Sequence, residues 1–215
     1  MDLLKEIISR SKLDVKDLVA VYPYGSRVYG TANKQSDYDF IVIIKKKTNT
    51  QYSDKLININ FYTPEEHQQR LNDHEISALE CHFLDHKWML FDSNHPLNKK
   101  NIEFQFQLNL PKLRQSLSAK SSNSWVKAKK KLIVEKDLDL NIGRKSLFHS
   151  IRIINYGIQI ARYGKIIDYT SCNSLYKDIM EQYSWPEMVL SYKKIYNNIL
   201  TEFRQLAPKE ISKIM

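Results

Sequence analysis

The sequence predicts an α+β fold, with a small mixed β-sheet and flanking helices over residues 1–100 and a mostly helical C-terminal region over residues 101–215. Three observations predict it. Between Leu18 and Tyr62 the apolar residues come in strand-length runs separated by turn-forming residues. Beyond residue 110 they recur every three or four positions, as on one face of a helix. Between the two regions, Asp92 to Pro111 is rich in Asn, Pro and Lys, a composition that marks a boundary.

The elements follow in order. Leu3, Leu4, Ile7 and Ile8 have helical spacing and predict a helix over residues 2–10. Residues 18–24, Leu-Val-Ala-Val-Tyr-Pro-Tyr, read as a buried strand that stops at Gly25. Tyr38 to Ile44 is the next strand, closed by the solvated run Lys45, Lys46, Lys47. A third strand spans Lys55 to Tyr62. In it Ile57, Ile59 and Phe61 face one way and Asn58, Asn60 and Tyr62 the other. Thr63-Pro64-Glu65-Glu66 starts a helix, with Thr as cap, Pro in the first turn and Glu66 completing a capping box. That helix ends near Asn72, another covers Glu75 to Leu84, and a short extended stretch follows around Trp88 to Phe91. Helices are predicted over 111–134, 143–163, 172–182 and 186–205, with Gly164 placed to stop the second.

Bulk properties narrow the class. The 215 residues suffice for one large domain or two small ones. At 42% hydrophobic and 27% charged residues, the chain is neither disordered nor a membrane protein, and no apolar run approaches the ~18 residues of a span. Met-Asp-Leu-Leu-Lys-Glu reads as a helix start and not as an export signal, so a cytoplasmic location is expected. Cys81 and Cys172 make neither a disulfide framework nor a paired-cysteine zinc site, and both are expected to be buried. The net charge of +9 biases the chain toward nucleotides, nucleic acids or acidic proteins, although an AT-rich genome also leaves a Lys-rich sequence.

The chemistry is concentrated between Tyr24 and Phe40. A strand ends at Gly25, whose missing side chain permits close approach of a backbone or a phosphate, and Ser26 opens a short helix whose unpaired amides suit an anion. Asp37 and Asp39 follow, and the period of two in a strand puts both carboxylates on one side, where they attract Mg²⁺ or Mn²⁺. Either half alone is a common turn sequence. Together they place a phosphate cradle beside a metal pair, the two parts needed to hold a metal-bound nucleoside triphosphate.

Gly25-Ser26, ten residues, then Asp37-x-Asp39 resembles the signature of the DNA polymerase beta-like nucleotidyltransferase superfamily. The longer string Gly-Ser-Arg-Val-Tyr-Gly-Thr-Ala, followed by Ser-Asp-Tyr-Asp, resembles its bacterial and phage branch, which includes a group linked to RNA repair. The likeness is dense over residues 22–44 and thin elsewhere. It implies a nucleotidyltransferase head on a small mixed sheet, followed by helices. It also implies that Gly25, Ser26 and Arg27 bind the nucleotide, an ATP-like triphosphate. Asp37 and Asp39 would hold the metal ions that activate a hydroxyl and stabilise pyrophosphate departure. The basic charge favours RNA or DNA as the acceptor.

In active members of that superfamily a third carboxylate on a neighbouring strand helps deprotonate the attacking hydroxyl. Here the polar face of the third strand offers Asn58 and Asn60, amides that lend an oxygen to a metal but accept no proton. Asn58 is the candidate third metal ligand. Asp54, Glu65 and Glu66 are candidate replacement acids, the last two explained equally well as helix-start residues. Two readings therefore stand: a metal-dependent nucleotidyltransferase, and a catalytically inactive domain that binds nucleotide, nucleic acid or a partner protein.

Weaker signals remain. Lys127, Lys131 and Arg152 are candidate phosphate ligands, the last sharing a helical arc with Arg144 and His149, although charged runs usually form a solvated face. His82 and His86 are four residues apart near Cys81 and Asp85 but lack a metalloprotease pattern, so ordinary histidines are expected. Tyr22, Tyr24, Tyr29 and Tyr38 surround the motif, where strand packing explains them without a stacked base.

Overall fold

A computed structural model of the chain describes residues 2–46, 49–93 and 102–210. These form two compact units, Met1–Gln107 and Leu108–Met215. The boundary predicted between residues 100 and 101 lies outside the described residues.

The first unit is built on five strands: β1 (Leu18–Tyr24), β2 (Tyr38–Ile44), β3 (Gln51–Ser53), β4 (Ile57–Tyr62) and β5 (Phe91–Asp92), in the order β3-β4-β2-β1-β5. The sheet is mixed, as expected, because β2 and β4 run parallel while the other pairs are antiparallel. The chain leaves β2, reaches the sheet edge as β3, and returns by a hairpin into β4 between them. Asp54 makes that hairpin: its carboxylate accepts the amides of Leu56 and Ile57 at 2.7 and 2.8 Å. This turn delays the start of β4 to Ile57, two residues after the predicted start, and adds the short β3 that the sequence pattern did not predict. Where an extended stretch was expected at 88–91, a tight 3₁₀ turn, His86–Trp88, precedes the two-residue β5.

One face of the sheet is core. Val21, Phe40, Val42, Ile57, Ile59 and Phe61 pack with Ile7 of α1 (Leu3–Ser11), whose first turn is capped by the Asp2 side chain. Each fully buried aliphatic or aromatic side chain of this kind contributes roughly 1.5–3 kcal/mol. Between β1 and β2 lies the short α2 (Ser26–Tyr29). The opposite face is covered by α3 (Pro64–Asn72) and α4 (Ile76–His82). The predicted capping box at α3 is present, with Thr63 and Glu66 each accepting from the other's backbone amide.

The second unit is helical: α5 (Leu110–Ile133), α6 (Leu140–Tyr163), α7 (Asn173–Glu181) and α8 (Trp185–Leu206). It is organised around α6, from which Leu147, Phe148, Ile151, Ile154, Tyr156 and Ile160 are buried. α6 starts three residues before the predicted position because Asp139 caps it by accepting the Ile142 amide, and it stops at Gly164 as expected, in a left-handed conformation (φ 73°). Buried Ser121 ties three helices together, donating to the Ser150 carbonyl at 2.7 Å and lying 3.0 Å from the Tyr196 hydroxyl. Among the described residues no helix is long and apolar enough to cross a membrane. Both cysteines are buried, and burial pushes the Cys172 thiol up to about 11.

Candidate active site

The site is assembled at the point where β1 ends and β2 begins. Gly25 closes β1 with φ 74°, a conformation that disfavours any side chain. A Cβ at this position would stand 2.2 Å from Asp39 Oδ2, so the carboxylate occupies the space a side chain would need. Gly25 is therefore required twice, for its backbone angle and for its emptiness.

Strand register does the rest. Asp39 pairs with Tyr24 on one side and Asn58 on the other, and Asn58 pairs with Ser53, so the four stand in one row across β1, β2, β4 and β3. Asp37, two residues before Asp39, projects to the same side. The amide nitrogen of Asn58 donates to both carboxylates, 2.5 Å to Asp37 Oδ2 and 3.2 Å to Asp39 Oδ1. The Asn58 carbonyl oxygen faces away and accepts the Ser53 hydroxyl at 2.5 Å. A single N–H donor group thus stands between two carboxylates. The amide is uncharged, so it solvates the two carboxylates without neutralising them, a donor set of the kind that attracts a divalent cation.

Arg27, expected at the nucleotide, is also engaged within the chain. Its guanidinium donates to two successive carbonyls, Asp37 at 3.2 Å and Ser36 at 2.5 Å, and lies 3.7 Å from the centre of the Tyr38 ring. It clamps the loop that presents Asp37. Ser26 is half-buried at the first turn of α2, where the Ser26 and Arg27 amides have no acceptor within the helix. Behind it Tyr29 is buried and donates its hydroxyl to Glu80 of α4 at 2.8 Å, which ties α2 to α4.

The matching sequence profile is that of the nucleotidyltransferase domain, over residues 1–109, about half of the chain and all of the geometry above. The chain belongs to the nucleotidyltransferase domain family. Among solved structures it resembles spectinomycin adenyltransferase AAD(9) from Enterococcus faecialis, a structure with ATP and spectinomycin. That likeness has 15% identity and a TM-score of 0.43, over 97% of this chain and 89% of that one. It also resembles a nucleotidyltransferase-like protein from Exiguobacterium sibiricum 255-15, with 11% identity and a TM-score of 0.33, over 96% and 74% of the two chains. No curated protein matches the sequence.

Within this nucleotidyltransferase domain two of the three candidate replacement acids, Asp54 and Glu66, are otherwise engaged. Asp54 binds two backbone amides, Arg10 at 2.6 Å and the Tyr52 hydroxyl at 2.9 Å; these hydrogen bonds hold its carboxyl well below the usual carboxylate range. Glu66 completes the capping box, and Glu65 is exposed in the first turn of α3. Asn60, opposite Ile41, accepts from Gln51 at 3.1 Å. Nothing in the sequence pattern announced Ser53 or the Arg27 clamp, since both act through pairing and loop geometry.

The remaining candidates belong to other elements. α4 ends at His82, and His86 belongs to the following turn, 3.3 Å from Asp92, so the two histidines share no helix face. Among the described residues there is no group of three or more His, Cys, Asp or Glu able to hold a metal. Lys127, Lys131 and Arg152 belong to the helical unit: Lys127 is exposed, Lys131 half-buried, and Arg152 buried with its guanidinium 5.1 Å from the Tyr156 ring centre. Desolvation, reinforced by the charges of Arg152, Lys145 and Lys127, holds the half-buried His149 imidazole well below its ordinary pKa.

Proposed function

We propose that this protein transfers a nucleoside monophosphate from a nucleoside triphosphate to a hydroxyl acceptor, with Mg²⁺ or Mn²⁺ held by Asp37 and Asp39. The observation that carries the reading is the convergence of the two carboxylates on the single amide donor of Asn58, against the bare backbone of Gly25. The donor set suits the ion, because Mg²⁺ is commonly held by one or two carboxylates, with water and substrate phosphates completing its shell. A bound divalent cation supplies Lewis-acid chemistry, lowering the pKa of a hydroxyl and neutralising charge on the leaving pyrophosphate.

The chain's own groups do the positioning. The Ser26 hydroxyl and the first-turn amides of α2 are donors for phosphate oxygens. Arg27 keeps the Asp37 backbone in register. Asn58 offers its oxygen to a cation only after its amide turns over, which Ser53 permits, since a hydroxyl that donates to the carbonyl also accepts from the NH₂ group. The acceptor we favour is RNA or DNA, on the strength of the +9 charge.

A second reading is motivated by one observation: the row position that faces Asp39 is an amide and not an acid. In that reading the domain binds nucleotide without transferring it. Incubation with each labelled triphosphate, Mg²⁺ or Mn²⁺, and RNA, DNA or lysate protein separates the two. Label transferred by the wild type and lost in Asp37→Asn supports transfer. Metal-dependent nucleotide binding without transfer to any acceptor supports the binding reading.

A further inference from the structure

We propose that the helical unit binds the phosphate backbone of a single-stranded nucleic acid in a groove between the start of α5 and the end of α8. The groove, of about 720 Å³, is lined by Lys112, Arg114 and Ser118 of α5, Arg204 of α8, and Lys209 and Glu210 just beyond it. Four cations thus surround it with one carboxylate. None of the four is in an ion pair among the described residues, whereas Arg10, Arg70, Lys130 and Arg162 elsewhere each have an acidic partner. Like charges gathered with too few counter-charges destabilise the fold and favour a polyanion.

Helix electrostatics account for only part of the cluster. Arg114 donates to the carbonyls of Arg204 and Ala207 at 3.0 and 3.3 Å, and Arg204 is itself in the last turn of α8, where cations are favourable. Lys112 is different, because it stands in the first turn of the 24-residue α5, where the helix dipole already presents positive charge. That unfavourable placement adds to the field in the groove. The carbonyl bonds also hold the Arg114 guanidinium in place, so its planar fork is oriented before a ligand arrives. Ser118 contributes a hydroxyl whose oxygen is buried and has no hydrogen-bond partner. No lining residue among those described is aromatic, so the groove reads phosphates and not bases.

The proposal is independent of transfer at Asp37 and Asp39. The test is fluorescence anisotropy of the full chain with a short labelled single-stranded RNA of mixed sequence, across a salt series. The groove variant is Lys112→Glu, Arg204→Glu, Lys209→Glu; the control, with the same charge change on exposed lysines of the same unit, is Lys165→Glu, Lys177→Glu, Lys193→Glu. The groove variant is expected to weaken binding at least about tenfold and to lower the slope of log K against log salt by about 2, from ~0.7 per cation. The control keeps most of both. Should the groove variant fail to fold by circular dichroism, Lys112→Ala is expected to weaken binding by about threefold on its own. Equal losses in groove and control variants, no loss in either, or displacement of RNA by polyglutamate as readily as by unlabelled RNA would overturn the proposal. Failure here is read in the RNA affinity of the groove variant and failure of the transfer reading in label transfer by the wild type, so the two are separate results.

Discussion

Gly25 is where backbone and chemistry are hardest to separate. With φ at 74° and an Asp39 oxygen in the space of a Cβ, Gly25→Ala meets both a positive-φ backbone penalty of about 1–3 kcal/mol and a collision with the Asp39 carboxylate. A melting curve and a nucleotide titration on this variant are expected to show lower stability together with affinity reduced about tenfold or more. Asn58 gives the complementary residue-scale prediction. Asn58→Asp replaces the donor between Asp37 and Asp39 by a third carboxylate, so the metal-free protein should melt at a lower temperature than wild type. Added Mn²⁺ should raise that temperature by more than it raises the wild type's, because three acids bind the ion more tightly than two. Equal responses to Mn²⁺ would mean that residue 58 does not face the cation.

At the scale of elements, α2 and the loop before β2 act as one part, joined by the Arg27 clamp. A lysine keeps the charge but loses the fork that reaches two carbonyls at once, so Arg27→Lys is expected to weaken metal-dependent nucleotide binding by about tenfold with little change in melting. α3 carries a pH-dependent contact. His67 is 1% exposed, stacked on Tyr22 with ring centres 5.9 Å apart and set edge-on to Phe104 at 4.7 Å, and neither ring nitrogen has a hydrogen-bond partner. Burial, with the charges of Arg70 and His82 beyond it, pulls its pKa down to about 4. The unfolded chain takes up this proton as pH falls through about 6.5, and the folded chain does so only near 4. The contribution is therefore fully present above 6.5 and is lost between 6.5 and 4. At about 1.4 kcal/mol for each pH unit, the loss is about 3 kcal/mol. Denaturant unfolding of His67→Phe across that range is expected to show a flatter pH dependence than wild type. An unchanged profile would show that other groups, His82 and His149 among them, carry the acid sensitivity.

Across the whole molecule, what was legible in the sequence is what local pattern encodes. The ends of β1 and β2, the capping box at Thr63, the stop at Gly164 and the three long helices α5, α6 and α8 all follow from residues within a few positions of one another. The Asp37–Asp39 pair was readable for the same reason, since a period of two needs no knowledge of the neighbouring strands. Contacts across the chain were not readable. The Arg10–Asp54 bridge spans 44 residues and withdraws an acid that sequence spacing offered as a catalytic candidate. β3 is only three residues of mixed polarity, too short to give a period, yet it brings Ser53 beside Asn58. Lys127, His149 and Arg152 could be named from sequence, but the electrostatic coupling of His149 on α6 to Lys127 on α5 appears only with the two helices packed. The central claim is that Asp37 and Asp39, set against Gly25, bind a metal–nucleotide complex. Equilibrium titration of the full chain with a fluorescent nucleoside triphosphate, in Mg²⁺ and then in excess chelator, tests it most directly. The account predicts saturable binding that the chelator abolishes and that Asp39→Asn weakens at least about tenfold; binding that survives both the chelator and the substitution would contradict it.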